Sequence, residues 1–167
     1  IIIPTHTYTS SCYPFIKAGA KVVWADIDIE TRVISDKSVE ENISSKTKAI
    51  LVPHLYGYFK DLKKLLELIE GRNIYLIEDA AQAIGSVRND KFAGTIGDFG
   101  IYSFHSHKNI TTLGEGGMIT IKENKFAKEI AKLRHNGHCG FDFDREKYWL
   151  PAMGNLDLSI IDGETVL

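Results

Sequence analysis

Short apolar runs, each ended by a proline, glycine or acidic residue, recur along most of the chain. Several of these runs are continuously apolar instead of alternating with polar residues, which is typical of strands buried on both faces of a parallel sheet. The predicted strands cover residues 1–4, 21–26, 47–53, 73–78, 99–104 and 118–121.

Segments with a helical period separate these strands. The clearest predicted helix spans residues 61–71, because leucine and isoleucine recur there at three- and four-residue intervals. Asp61 can cap its first turn and Gly71 can end it. Weaker helices are predicted over 9–18, 33–43 and 126–133. Because strands and helices alternate, the sequence predicts an α/β fold with a mostly parallel sheet covered by helices on both faces.

Composition narrows the class of protein. The 167 residues are 44% hydrophobic and 25% charged, with a formal net charge of −2. This charge gives no electrostatic basis for binding nucleic acid or an anionic membrane surface, and no apolar run approaches the roughly 20 residues of a membrane helix. Two cysteines, Cys12 and Cys139, do not form a disulfide framework, so a reducing, cytoplasmic setting is expected.

The carboxyl ends of the predicted strands are where chemistry is expected, because parallel α/β sheets bind ligands there. Three histidines, His54, His105 and His107, crowd this edge, but their spacing forms no metal-binding set. The segments that follow the strands at this edge are 4–8, 53–57, 79–82 and 103–108.

Two of these segments carry reactive side chains. The fourth strand ends in the run EDAAQAIG, which places an acid at the strand tip and an amide three residues later. The fifth strand ends in YSFHSHK, so that Lys108 lies just beyond a strand tip, and the glycine-rich run GEGG at 114–117 follows. The run lacks the lysine that follows the glycines of a phosphate-binding loop, so it does not match that motif. Its glycines are expected to allow a tight return into the last strand.

The two runs EDAAQAIG and GDFGIYSFHSHKNITTLGEGGMI together resemble the DegT/DnrJ/StrS family of sugar aminotransferases. These are pyridoxal-phosphate enzymes of fold type I. The runs IIIPTHTYTSSCYPFIKAGAKVVWADID and TKAILVPHLYGYFKDLKKLLEL are also similar to the family. The resemblance extends from residue 1 to about residue 137 and implies a partial cofactor-binding large domain.

The resemblance implies a role for each matching residue. Lys108 would hold pyridoxal 5'-phosphate covalently and later move a proton. Asp79 would pair with the protonated pyridine nitrogen, although an aspartate there could also cap a helix. Gln82 would reach the 3-hydroxyl of the cofactor and Ser103 its phosphate. Tyr8 would stack on the ring, although it could equally be a core aromatic.

One further assignment depends on an imperfect match. Asn155 aligns with an asparagine that reaches the phosphate of the neighbouring subunit, but Asp157 stands where the family has arginine. Residues 138–167 are expected to form a loop and the start of a connection to a C-terminal domain. The family's phosphate-binding turn and its small domain have no counterpart here, so the chain is expected to be an internal piece of a longer protein.

The resemblance implies transfer of an amino group, with glutamate as the expected donor, to a keto sugar carried on a nucleotide. It also implies a homodimer. Two alternatives stay open. Some relatives are sugar dehydratases that have histidine in place of the lysine, and a non-catalytic relative or fragment would act in regulation or assembly.

Overall fold

The computed structural model describes residues 1–134 of the chain. The chain divides into two compact units, Ile1–Lys122 and Glu123–Leu167. The first unit holds the sheet and all residues of the candidate site that are described below. The described part of the second unit is a helix.

The first unit is built on a six-stranded sheet. The strand order is β2-β1-β3-β4-β7-β8, in which β8 runs antiparallel to β7 and every other pairing is parallel. This arrangement confirms the predicted mostly parallel α/β fold. The strands, including a separate hairpin, are β1 (Ile2–Pro4), β2 (Val23–Ala25), β3 (Ala49–Pro53), β4 (Tyr75–Asp79), β5 (Val87–Arg88), β6 (Lys91–Phe92), β7 (Phe99–Ser103) and β8 (Gly117–Ile121).

Helices cover both faces of the sheet in the first unit. On one face, Val39 and Leu65 from two helices are completely buried against the larger apolar core. On the other face, Cys12 and Phe15 pack with Ile3 and its strand neighbours in a smaller core. The helices are α1 (Tyr13–Lys17), α2 (Asp36–Asn42), α3 (Lys63–Ile69) and α4 (Asn124–Arg134), and short 3-10 turns occur at Thr9–Ser11 and Leu55–Gly57.

The first predicted helix is shorter in the structure than its sequence pattern indicates. Residues 9–11 form a 3-10 turn, and α1 begins only at Tyr13, with a proline in its first turn. Because proline has no N–H to donate, it is tolerated at a helix start and disrupts a helix interior. Gly19 ends the segment with φ 81°, a left-handed conformation that glycine adopts without steric cost.

Side-chain capping sets the start of α2 after a bend in the chain. Ser35 is the N-cap, and its Oγ accepts a hydrogen bond from the backbone N–H of Ser38 at 3.3 Å. The two preceding residues, predicted to be helical, are extended instead, and Ile34 forms an isolated bridge with Ile27. The N-cap of α3 is Leu62, one residue after the predicted Asp61, although Asp61 Oδ1 still accepts from the N–H of Lys63 at 2.9 Å.

The β5–β6 hairpin was not predicted. Each of its strands has only two residues, too few to show a period. Its turn residues Asn89 and Asp90 have φ values of 50° and 60°, and two positive values in succession match a type I′ turn.

No helix within the described residues 1–134 has the length and apolar character needed to span a bilayer.

Candidate active site

Four of the predicted site residues lie around one narrow cleft at the carboxyl ends of the strands. They are Tyr8, Asp79, Gln82 and Lys108, which come from the segments after β1, β4 and β7. The cleft has a volume of about 20 Å³. It is therefore too small to enclose an organic cofactor. Its remaining lining residues are Thr7, Ser10, Ser11, Pro53, His54, Leu55 and Ala81.

Asp79 ends β4, and hydrogen bonds to both of its carboxylate oxygens fix its orientation. Oδ2 accepts from the hydroxyl of Ser11 at 2.7 Å, and the Ser11 oxygen in turn accepts from the hydroxyl of Thr7 at 2.9 Å. Oδ1 accepts from the N–H of Ala81 at 3.1 Å, a local turn contact that does not start a helix. Because a carboxylate oxygen can accept two hydrogen bonds, each oxygen keeps one further acceptor position.

Gln82 contacts the loop that follows β3. Its Oε1 accepts from the backbone N–H of Tyr56 at 2.8 Å. Tyr56 has φ 56°, which is unusual for a residue with a Cβ atom. Since the amide oxygen is engaged by a donor, the NH₂ group is the end of Gln82 that can donate to a ligand.

Lys108 lies in a turn that begins where β7 ends. Its N–H donates to the carbonyl of His105 at 2.9 Å, and its Nζ lies 6.0 Å from the centre of the Tyr8 ring. The Tyr8 side chain is 69% exposed. Tyr8 is thus a surface aromatic at the mouth of the cleft, and the structure excludes a core position for it.

His105 organises the turn that carries Lys108. Its Nδ1 accepts from the N–H of His107 at 3.1 Å, and its Nε2 lies 3.3 Å from Oε1 of Glu115. This contact joins the lysine turn to the glycine-rich run 114–117. That run returns the chain directly into β8, where Gly117 pairs with Ser103.

One predicted site residue within the described part of the chain does not line the cleft. Ser103 is the last residue of β7, and its Oγ accepts from the N–H of His105 at 3.4 Å, but it is not among the residues that line the cleft. Asn155 lies outside the described residues. The cofactor roles of both stay predictions.

A buried, hydrogen-bonded pair of side chains lies at the back of the cleft. Glu78 and His54 are both buried, and Glu78 Oε2 is 2.8 Å from Nε2 of His54. Burial raises the pKa of Glu78, but hydrogen bonds from His54 and three backbone N–H groups lower it more, so its net shift is downward from the ordinary value of 4.5. The backbone donors are Gly94 at 2.8 Å, Ile96 at 2.6 Å and Gly97 at 2.6 Å.

Sequence reasoning assigned no role to Ser11 or Glu78, and none to His54 beyond its place at this edge. Ser11 is separated from Asp79 by 68 residues, so nothing in the sequence joins them. For Glu78 a signal exists, because adjacent residues of a strand point to opposite faces. Two successive acids at a strand tip therefore indicate one buried carboxylate and one carboxylate near the site.

A larger groove lies at the opposite end of the strands, away from this chemistry. Its volume is about 610 Å³, and residues next to the starts of β4 and β7, such as Ile74 and Asp98, form part of its lining. Charges of both signs line it, including Lys63 and Glu67. Size alone therefore does not identify the functional site.

Within residues 1–134, no group of three or more histidine, cysteine or acidic side chains is placed to hold a metal ion.

Comparison with known structures defines the class of protein. The chain superimposes on the aminotransferase from Psychrobacter cryohalolentis with a TM-score of 0.80 and 30% identity, covering 88% of this chain and 40% of that one. It is also similar to GDP-4-keto-6-deoxymannose-3-dehydratase (ColD) in complex with GDP-perosamine, with a TM-score of 0.77 and 33% identity over 81% and 35% of the two chains. The fold is therefore the one that sugar aminotransferases have.

Sequence comparison then gives the family. The chain belongs to the DegT/DnrJ/EryC1/StrS aminotransferase family, whose family model matches residues 1–156. Members of this family are pyridoxal-phosphate-dependent aminotransferases. GDP-perosamine synthase from Escherichia coli O157:H7 is 42% identical over 154 residues, which are 92% of this chain and 41% of that enzyme. The chain thus spans about two fifths of the length of such relatives.

Proposed function

We propose that the full-length protein is a pyridoxal-phosphate-dependent aminotransferase that acts on a nucleotide-linked keto sugar and takes its amino group from glutamate. The observation that carries this proposal is the meeting of Lys108 and Asp79 at one cleft, although 29 positions separate them in sequence. The substrate class is supported by relatives such as GDP-perosamine synthase.

The side chains at the cleft fit the cofactor by their chemistry. A carboxylate suits a protonated ring nitrogen, an amine suits the aldehyde, and an amide NH₂ suits the ring hydroxyl oxygen. Bound pyridoxal phosphate supplies an electron sink for chemistry at an amino-bearing carbon. The protein contributes the orientation of the ring and the movement of protons around it.

Asp79 would keep the ring nitrogen protonated, because a fixed carboxylate favours a positive charge beside it. Ser11 and the N–H of Ala81 hold that carboxylate in place and leave it able to accept one more donor. Tyr8, which is exposed at the mouth, would cover one face of the ring. Ser103 would contribute a hydroxyl to the phosphate.

Lys108 would hold the cofactor covalently through Nζ and, once released, carry a proton to and from the reacting carbon of the substrate. A lysine rather than a histidine at this position favours transamination over the sugar dehydration of the alternative hypothesis. The structural likeness to ColD is nearly as great as the likeness to the aminotransferase, so the fold does not separate the two reactions. The residue at position 108 is what distinguishes them.

Residues of a second subunit would complete the site in a homodimer. The cleft described by this chain leaves a cofactor largely uncovered, and a partner would exclude water from it. Asn155 is proposed to reach the phosphate bound by the partner subunit.

The test uses the full-length protein incubated with pyridoxal phosphate. We expect a visible absorbance band from the imine, which borohydride abolishes as it reduces the C=N bond to a stable secondary amine, with the added mass located on Lys108 by peptide mass spectrometry. The Lys108→Ala variant should show no covalent attachment, whereas Lys46→Ala, which changes an exposed lysine, should behave as the wild type. A wild-type protein that binds no pyridoxal phosphate would refute both enzymatic readings and support a non-catalytic role, whereas one that binds it without attachment to Lys108 would refute the aminotransferase reading alone.

A second measurement separates the two enzymatic reactions. With glutamate alone, an aminotransferase should release one 2-oxoglutarate per site and then stop until a keto sugar is added. Keto-sugar addition should yield an amino sugar. Loss of a sugar hydroxyl without incorporation of nitrogen would assign the protein to the dehydratases.

A further inference from the structure

His54 lies beneath the candidate site and is only 1% exposed, yet none of the proposed roles uses it. Its Nδ1 accepts from the backbone N–H of Lys60 at 3.3 Å. The ring proton is therefore on Nε2, which donates to Glu78 Oε2 at 2.8 Å. The ring also packs edge-on against Phe59, with a centroid separation of 4.8 Å. One imidazole ring thus fixes both ends of the loop 54–60.

The same residue is joined to the strand that carries the candidate site. The backbone N–H of His54 donates to the carbonyl of Asp79 at 2.9 Å. Glu78, which holds the ring, directly precedes Asp79 in β4. The bond to Asp79 joins main-chain atoms and does not depend on the His54 side chain, so loss of the ring acts on the loop 54–60.

The loop 54–60 presents one backbone donor to the site. Tyr56 occupies the left-handed region, a conformation that a residue with a Cβ atom keeps only where its surroundings hold it. Two further contacts pin the loop, from Tyr58 N–H to Leu55 O and from Ser86 Oγ to Gly57 O, each at 2.9 Å. In this conformation the Tyr56 N–H reaches Gln82 Oε1 at 2.8 Å.

We propose that His54 is a positioning residue for Gln82: it fixes the loop that presents the Tyr56 N–H, and so decides which end of the Gln82 amide faces the cofactor. With its oxygen engaged, Gln82 offers the NH₂ group, which attracts the ionised 3-hydroxyl oxygen of pyridoxal phosphate. Turned over, it would offer its carbonyl oxygen, which repels that ionised oxygen. This inference rests on the proposed function, because it assumes that the cleft binds pyridoxal phosphate.

The test is a double-mutant cycle on the full-length protein, with the dissociation constant of pyridoxal phosphate measured by fluorescence titration. His54→Phe keeps an aromatic ring against Phe59 and removes both nitrogens. We expect it to weaken binding about tenfold, the effect of losing one well-placed hydrogen bond. In a Gln82→Ala background the same substitution should cause no further weakening, because the group it positions is gone.

A purely structural role would give a different pattern, with equal weakening of binding in both backgrounds. Either that pattern or unchanged binding by His54→Phe would overturn the inference while leaving the proposed function intact. A wild-type protein that binds no pyridoxal phosphate would overturn both. His6→Phe is the control, since His6 lies at the same edge with its ring centre 6.2 Å from that of Tyr56, and it should bind as the wild type.

A second variant keeps the inference testable if His54→Phe does not fold. Gln82→Glu retains an oxygen for the Tyr56 N–H but places a second acceptor toward the cofactor. Binding should weaken at least as much as in Gln82→Ala, and the visible absorption band of the bound cofactor should shift in wavelength. A Gln82→Glu variant with wild-type affinity and an unshifted band would refute the proposed orientation.

Discussion

Replacement of Glu78 by glutamine tests how the buried carboxylate holds the protein together. Glutamate and glutamine side chains have nearly the same shape, so the substitution changes hydrogen bonding and charge without opening a cavity. Each carboxylate oxygen accepts two hydrogen bonds in the structure, and the four donors are His54 Nε2 and the N–H groups of Gly94, Ile96 and Gly97.

A glutamine at position 78 can satisfy only two of these donors. Its oxygen can replace one carboxylate oxygen, but its NH₂ group then faces two N–H donors that have no other partner in the buried site. Leaving a buried donor unsatisfied costs about 1–3 kcal/mol, so two of them should cost about 4 kcal/mol. This is a large part of the 5–15 kcal/mol that is typical for the stability of a folded protein.

The assay is equilibrium urea unfolding of the cofactor-free, full-length protein, followed by tryptophan fluorescence at several pH values. Hydrogen bonds hold the pKa of Glu78 below 4.5 in the folded state despite its burial. A lowered pKa adds stability above pH 4.5 that is lost as the pH falls through the folded-state value. The difference between wild type and Glu78→Gln should therefore be complete at neutral pH and shrink below pH 4.5.

Glu41→Gln is the matched control, because the Glu41 side chain is 62% exposed and its contact with Lys37 is long, at 3.9 Å. It should change the free energy of unfolding by no more than about 0.5 kcal/mol. A loss of less than about 1 kcal/mol for Glu78→Gln at neutral pH, or a loss that does not depend on pH, would refute the assignment of four carboxylate hydrogen bonds.

Two further predictions concern the cofactor and the packing of the sheet. Ser11→Ala removes the hydroxyl that holds Asp79 Oδ2 and should weaken pyridoxal-phosphate binding about tenfold, measured by fluorescence titration. Gly100→Ala should lower the free energy of unfolding by about 3 kcal/mol in urea, because a Cβ atom there would overlap the carbonyl of Gly94.

Each of these substitutions has a control of the same type. Ser45→Ala changes an exposed serine and should leave cofactor affinity unaltered. Gly114→Ala adds a Cβ atom that meets nothing within 4 Å beyond its own chain neighbours, and it should change stability by no more than about 0.5 kcal/mol. If Ser11→Ala binds the cofactor as tightly as Ser45→Ala does, the Asp79 contact has no role in binding. A Gly100→Ala protein as stable as Gly114→Ala would contradict the close packing.

The layered fold was predictable because its cause is local. A parallel strand covered on both faces must be apolar throughout, so each strand of the large sheet left a readable run in the sequence. The ends of these strands differ from the predicted ones by at most two residues. The hairpin around Asn89 left no such run, because its two-residue strands are exposed and need no apolar pattern.

By itself the sequence determined which residue types stand at the carboxyl ends of the strands, and the resemblance of EDAAQAIG and the lysine segment to a known family named Asp79, Gln82 and Lys108. The sequence could not show which groups form hydrogen bonds with these site residues. Ser11 reaches Asp79 across 68 residues, and the Tyr56 N–H reaches Gln82 across 26. Such contacts depend on how separate loops pack, which no local pattern records.

The two adjacent acids of β4 show most clearly what the sequence indicates and what tertiary packing decides. The alternation of strand side chains indicates that Glu78 and Asp79 face opposite ways, but not which of them is buried. Tertiary packing decides this, because the loop 94–97 crosses one face of the sheet and supplies three N–H donors to Glu78. Asp79 points to the other side and lines the cleft, where its carboxylate can still accept a hydrogen bond.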